Sequence, residues 1–303
     1  MKRSWRIITG SVAEFFSNKI LKLSASLAYF TVFSLPGLLI IILWVSHFFH
    51  GRELVENGIY TQLEQLMGHD AAASIQQAIS NATQSTGSRI AALIGGIALI
   101  IGATGVFGEI QDSINMIWGL RSKPSKGRGI LKLILNRLLS FSMIITLGFI
   151  LLVSLFINGT LDIFLDQLME RYPDLTVVLV YMVNIIISLL VTMVIFAAIF
   201  KLLPDAKTKW GNVWTGSFVT AILFTVGRFL ISFYLGHSRV SSTYGAAGSL
   251  IVVLLWVYYS AAILYFGAAF THVYVKEMGG RIMPNNYAVW VREVEIEPKV
   301  TSD

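Results

Sequence analysis

Residues 90–119 read IAALIGGIALIIGATGVFGEIQDSINMIWG. No charge falls between Ile90 and Gly108, and then Glu109, Gln111, Asp112 and Asn115 crowd together. In water, the first half of such a segment would expose apolar surface on every side. In hydrocarbon, the same segment is a spanning helix that ends in a polar cluster. The rest of the chain decides which solvent applies.

The chain has 303 residues, 55% hydrophobic and 13% charged, against a charged share of about 25% in soluble domains. Its charges are gathered into short segments. Ala25–Phe49, Leu138–Leu161, Leu175–Phe200 and Val240–Val275 carry no Asp, Glu, Lys or Arg, and Val213–Leu235 carries only Arg228. A helix crosses the hydrocarbon core with about 20 apolar residues, and all six runs reach or nearly reach that length. The expectation is an all-α polytopic membrane protein with six transmembrane helices, at about 25–49, 90–118, 134–158, 175–203, 212–236 and 245–275. A transmembrane β-barrel would alternate polar and apolar residues along each strand, and these runs do not. A cleavable signal peptide is not expected, because the first apolar run is long enough to span and follows a basic, amphipathic segment. The absence of cysteine excludes disulfides, iron–sulfur clusters and thiolate metal sites.

Lysine and arginine fall on alternate connections. Lys2, Arg3, Arg6, Lys19 and Lys22 precede the first span; Arg121, Lys123, Lys126, Arg128, Lys132 and Arg137 follow the second. Lys201, Lys207 and Lys209 follow the fourth, and Lys276, Arg281, Arg292 and Lys299 follow the sixth. The intervening loops hold only Arg52, Arg89, Arg171 and Arg239. The positive-inside rule then puts both termini in the cytoplasm. The net charge of +6 reads as a topology and lipid-headgroup signal, and no nucleic-acid partner is expected.

Residues 1–24 read as an amphipathic interfacial helix on the cytoplasmic face, with Trp5, Ile8, Val12, Phe15, Phe16, Ile20 and Leu23 sharing one side. Pro36–Gly37 lies inside the first span and predicts a kink. The outer loop 51–88 carries two helical stripes, Leu54–Ile59–Leu63–Leu66 and Ala71–Ile75–Ala78–Ile79–Ala82, and predicts a small extracytoplasmic helical cap. Residues 276–303 are polar and read as a partly disordered cytoplasmic tail.

The opening stretch bears on function. At about 1.5 Å per residue, Glu109 lies about 28 Å along from Ile90, near the cytoplasmic end of a core about 30 Å thick. Gly102, Gly105, Glu109, Asp112 and Met116 fall within one stripe of about 80°, so the spacing points both carboxylates along a small-residue contact seam. They read either as a structural ion pair, with Arg137 or Arg121, or as a site that handles protons or substrate. Arg228 stands about 24 Å into the fifth helix, in its outer third. A charge there binds an anion, pairs with Asp162 or Asp166, or snorkels to headgroups. Asn184 is a hydrogen-bonding or packing group in the fourth helix. SSTYGAAGS (241–249), with Tyr244, Gly245 and Gly248, opens the sixth helix either as a broken end that presents N–H groups to anions or as a tight helix start. The histidines, His47, His50, His69, His237 and His272, lack metal-ligand spacing with a matching carboxylate. No metal, cofactor or catalytic residue is expected, and neither is an enzyme.

Three motifs resemble one family in their order along the chain. ASLAYFTVFSLPGLL (25–39) resembles its first helix. GVFGEIQDSINMIWGL (105–120) resembles its second-helix signature, with Gln111, Asn115 and Trp118 at recurrent positions. YGAAGSLIVVLLWVYYSAAILYFGAAF (244–270) resembles its last helix, with Tyr244, Gly245, Gly248, Trp256, Tyr258 and Gly267. The family is the YihY/virulence factor BrkB family of bacterial inner-membrane proteins, and the resemblance implies a six-helix integral membrane protein. Two departures stand out. Ala269 occupies a position where many members carry Glu, and the proline of helix one follows its serine by two residues, where many members have three. The family once carried a ribonuclease label. Phosphodiester hydrolysis usually needs clustered metal ligands or an acid–base pair, which this sequence does not offer.

The functional reading is a multi-pass protein of the bacterial cytoplasmic membrane, surrounded by membrane lipids, that moves or flips an anionic or amphipathic, envelope-lipid-like substrate. The alternative is a non-transporting scaffold for envelope assembly, acting through its outer cap and tail. A homo-oligomer is left open by either.

Overall fold

The helices begin and end where the hydropathy of the chain changes. In the computed structural model the described residues are 2–32, 34, 60, 72–73, 76, 89–123, 173–237, 248–285 and 287–291. They form α1 (Lys2–Ser17), α2 (Ile20–Val32), α3 (Arg89–Ile117), α4 (Pro173–Leu202), α5 (Trp210–His237) and α6 (Gly248–Glu277). α3 to α6 fall on four of the six expected spans, and α2 on the start of another. The expected span 134–158, the kink at Pro36–Gly37 and nearly all of the cap 51–88 lie outside the described residues.

Ile185–Leu202, Trp210–Leu235 and Leu250–Glu277 are long and apolar enough to cross a membrane, with mean hydropathies of 2.7, 1.9 and 2.1. Ile186, Leu190 and Val194 on α4 and Phe218, Ile222, Val226 and Phe229 on α5 are all exposed. Removing such a side chain from water gains about 1.5–3 kcal/mol, so this exterior suits hydrocarbon.

α5 packs between α4 and α6, while α1 and α3 lie against α6. α5 and α6 run antiparallel and interlock through two Gly-x-x-x-Thr steps. A Cβ added at Gly216 would fall on Thr271 Oγ1, and one added at Gly267 would fall on Thr220 Oγ1. Each threonine donates to the carbonyl four residues back, Thr220 to Gly216 O and Thr271 to Gly267 O, both at 2.7 Å. The hydroxyls are satisfied within their own helices, and the bare glycines let the backbones approach. Around this crossing sits the main core, which includes Ile20, Ile114, Phe200, Val213, Ala221 and Tyr265, all fully buried or nearly so.

Three expectations are corrected. First, residues 1–24 are not one helix. Lys19 takes φ 51° and separates α1 from α2, so Ile20 and Leu23 belong to α2, Ile20 in the main core and Leu23 packed against it. α1 runs antiparallel along the end of α6, from Arg3 and Arg6 at Glu277, through Gly10 at Val273, to Phe15 at Phe266. Its face with Ile7 and Ser11 is buried; Trp5, Ile8, Val12 and Phe16 face outward. The apolar face is thus left for the surroundings rather than for the bundle.

Second, the chain is mostly helical but not all-α. β1 (Leu120–Ser122) pairs antiparallel with β4 (Ala288–Trp290), and β2 (Ala206–Lys207) with β3 (Met283–Pro284). Third, the segment after Lys276 is a folded strap up to residue 291. α6 ends at Gly279, φ 74°, where Gly280 N–H bonds Val275 O at 2.9 Å and Gly279 N–H bonds Lys276 O at 3.1 Å. This left-handed glycine stop turns the chain sharply. Ile282 and Ala288 are then buried against the bundle, because backbone pairing to the two other segments gives a polar stretch partners it lacks alone.

Candidate functional site

The polar cluster of the opening stretch meets the turn between α4 and α5. Gln111 and Asn115, one helical turn apart, put two amides on the same side of α3. Both donate to the carboxylate of Asp205, Gln111 Nε2 to Oδ1 at 2.9 Å and Asn115 Nδ2 to Oδ2 at 3.0 Å. Ser122 on β1 donates a third hydrogen bond at 2.7 Å. The Asp205 amide in turn donates to Asn115 Oδ1 at 2.8 Å, and the strap's Asn285 N–H closes on Asp205 O at 2.9 Å. Asp205 is 2% exposed. A buried carboxylate needs such donors to offset desolvation. Asp205 therefore ties α3 and β1 to the α4–α5 turn through its carboxylate, and the strap through its backbone carbonyl. Tyr287 lies alongside; partial burial, and then the charge of Asp205, raise its phenol above the ordinary tyrosine value.

Asp205 was not singled out from the sequence. Two signals were there: it is the lone acid among Lys201, Lys207 and Lys209, and two amides at i and i+4 on a buried helix face require an acceptor. Trp118 completes the α3 signature, its indole N–H donating to Ala268 O at 3.0 Å.

The expected carboxylate seam is only half formed. Gly102 and Gly105 do lie against α2, where added Cβ atoms would meet Ser34 Cα at 2.6 Å and Phe30 at 3.1 Å. Further along, Asp112 is exposed and Met116 is 57% exposed. The packed face of α3 there is the one carrying Ile110, Ile114, Asn115 and Ile117, and the 102–116 stripe turns outward. Glu109 stays half-buried, close enough to act electrostatically on Tyr265 of α6. Arg121 is exposed on β1 and forms no ion pair with Glu109 among the described residues; Arg137, Asp162 and Asp166 lie outside them. Tyr265 is fully buried, and its hydroxyl sits beside Ser113 without a hydrogen bond of normal geometry.

Arg228 is half-buried in α5, its guanidinium 5.4 Å from the Phe229 ring. It follows Gly227, where a Cβ would strike Tyr259 and Ile263 of α6. Asn184 lies on α4 with its side chain outside the described set; Tyr244 and Gly245 also fall outside it. Gly248 is buried at the first position of α6. His272 pairs with Glu14 at 3.0 Å across the α1–α6 contact. Among the described residues no three His, Asp or Glu side chains gather as metal ligands.

An apolar helical bundle with its polar groups knotted at one end is a multi-pass inner-membrane architecture. The chain belongs to the virulence factor BrkB family, whose profile matches residues 11–287. A UPF0761 membrane protein of Haemophilus influenzae is 25% identical over 279 residues, covering 89% of this chain and 94% of that protein. One from Mannheimia succiniciproducens is 24% identical over 267 residues, 86% of each chain. One from Stenotrophomonas maltophilia is 24% identical over 261 residues, but the chain spans only 58% of its length. No solved structure is similar.

Proposed function

We propose that this protein is a six-span carrier, with both termini in the cytoplasm, that moves or flips an anionic amphipathic substrate without chemical conversion. The basic residues on alternate connections support the orientation. The observation that carries the transport reading is the polar line between α3 and α6: half-buried Glu109, buried Ser113 and the unsatisfied hydroxyl of fully buried Tyr265. A buried hydroxyl left without a partner costs about 1–3 kcal/mol. A carrier gains from retaining such groups, because a passing headgroup or proton completes them. Arg228 inside the Trp210–Leu235 span is a second charge where charges are expensive.

The test is reconstitution in liposomes with a fluorescent anionic phospholipid, scored by loss of label from the protected leaflet. Accelerated exchange that falls at least tenfold in Glu109→Gln, Tyr265→Phe or Arg228→Ala supports the reading. Exchange equal to that of empty liposomes refutes it for lipid, and the same variants assayed with a trapped organic anion decide it for solutes.

A further inference from the structure

Where the strap turns back from α6 it borders an open cleft of about 500 Å³ beside the end of α3. The indoles of Trp118 and Trp290 wall it together with Val275 and Ile282; Lys276, Arg281 and His272 edge it. Both indole N–H groups are already used, Trp118 on Ala268 O at 3.0 Å and Trp290 on Ile282 O at 3.1 Å. Trp290, exposed, therefore offers ring surface but no further donor, while Trp118 is buried behind it. The nearby acids are also engaged. Glu277 pairs with Arg6 at 3.5 Å, and Glu14 with His272 at 3.0 Å. Lys276 and Arg281, both exposed, form no ion pair among the described residues.

Depth is fixed by the glycine–threonine crossing. Thr271 packs on Gly216, so Lys276 lies beyond it, level with the exposed Trp210 and Trp214 at the start of α5. Such tryptophans mark the membrane–water interface, and the cavity opens at headgroup depth. A space lined in comparable measure by polar and apolar surface, with an exposed indole beside two cations, suits an anion carried on a small apolar body. An arginine fork beside a lysine point charge suits phosphate in particular.

We propose that this cleft binds a phosphate group borne on an apolar moiety, with Arg281 and Lys276 on the phosphate and the Trp290 indole against the body. The phosphate belongs either to an anionic phospholipid or to a water-soluble phosphate compound. Binding here is independent of transport, since it requires no passage between the leaflets.

The experiment titrates the full chain in an uncharged maltoside detergent, following tryptophan fluorescence and binding heat. The probes are dihexanoyl phosphatidylglycerol below its micellar concentration, dihexanoyl phosphatidylcholine, and inorganic phosphate. Saturable phosphatidylglycerol binding is expected, weakening as salt rises and exceeding phosphatidylcholine binding by about tenfold or more. Lys276→Gln and Arg281→Gln are each expected to weaken it about tenfold, as loss of a charge-assisted hydrogen bond does, while Lys276→Arg retains it. Inorganic phosphate binding as well as the lipid assigns the site to soluble phosphates; much weaker binding assigns it to lipid; either supports the proposal. No saturable binding of either anion, equal binding of the two lipids, or salt-independent binding overturns it, and these three readings need no variant. A correctly folded Lys276→Gln/Arg281→Gln protein that binds as wild type overturns it too.

Discussion

Asp205 and Asn115 hold each other by two reciprocal hydrogen bonds, Asn115 Nδ2 to the carboxylate at 3.0 Å and the Asp205 amide to Asn115 Oδ1 at 2.8 Å. A short turn and a helix end far away in sequence are thereby fixed in one register. Asp205→Ala removes the acceptor for Gln111 and Ser122 as well. The buried Asn115 amide loses its acceptor at about 1–3 kcal/mol, and the half-buried Gln111 and Ser122 lose less because water can reach them, so the variant should lose about 2 kcal/mol or more. Thermal unfolding in detergent measures this. Arg121→Ala, an exposed neighbour on β1, should stay within about 0.5 kcal/mol of wild type. Equal melting temperatures for the two variants would show that the knot is not structural.

The α5–α6 crossing gives a second prediction. Gly216→Ala drives a methyl into Thr271, and overpacking of this kind costs about 1–3 kcal/mol. Adding Thr271→Ala removes most of the obstacle. The double variant should therefore be more stable than Gly216→Ala alone, although Thr271→Ala by itself is not stabilising. Additive losses in a double-mutant cycle would mean that the two residues do not meet.

How far the sequence could be read follows from what controls each feature. The ends of α3, α4 and α5 are set by hydropathy and by local signals such as Gly119, which takes φ 65° just past α3, and they were legible. Gln111, Asn115 and Trp118 were visible as a motif, but their partners, Asp205 and Ala268 O, are set by tertiary packing. The strap was missed for the same reason. Its strands are two or three residues long, too short for a period-two pattern, and exist because three separate chain segments converge. The apolar stripe of α1 was read as one face, but α1 docks on α6 mainly through Gly10 and its neighbours, with Phe15 of the stripe joining at Phe266 while Trp5, Ile8, Val12 and Phe16 stay exposed. In a membrane the apolar face need not be the packed face.

Tyr287 supplies a pH dependence. Burial and the neighbouring charge of Asp205 raise its phenol above the ordinary value. A raised folded value means the contribution is whole below the unfolded tyrosine pKa of about 10 and is lost as pH climbs through the folded one, when a phenolate would form beside the carboxylate. Unfolding midpoints should therefore fall on the alkaline side, and Tyr287→Phe should fall less than wild type over the same range. Parallel alkaline slopes for the two proteins would remove Tyr287 from the account.

The orientation proposed here has a direct test, because the natural chain contains no cysteine. Any single cysteine introduced is then the only reactive thiol. Lys123→Cys, just past β1, and Glu170→Cys, in the acidic loop before α4, lie on connections of opposite charge character. With six spans and cytoplasmic termini, an impermeant maleimide added to intact spheroplasts should label position 170 and spare position 123 until the membrane is permeabilised. The charge argument demands this pattern: moving Arg121, Lys123 and their basic neighbours across the bilayer would work against the positive-inside bias. Labelling of position 123 in intact spheroplasts, with 170 protected, would reverse the topology and move the cavity edged by Lys276 and Arg281 to the outer face. Labelling of both positions in intact spheroplasts would break the six-span count itself, since the two lie on opposite faces only if an odd number of crossings separates them, as when the segment 134–158 spans once.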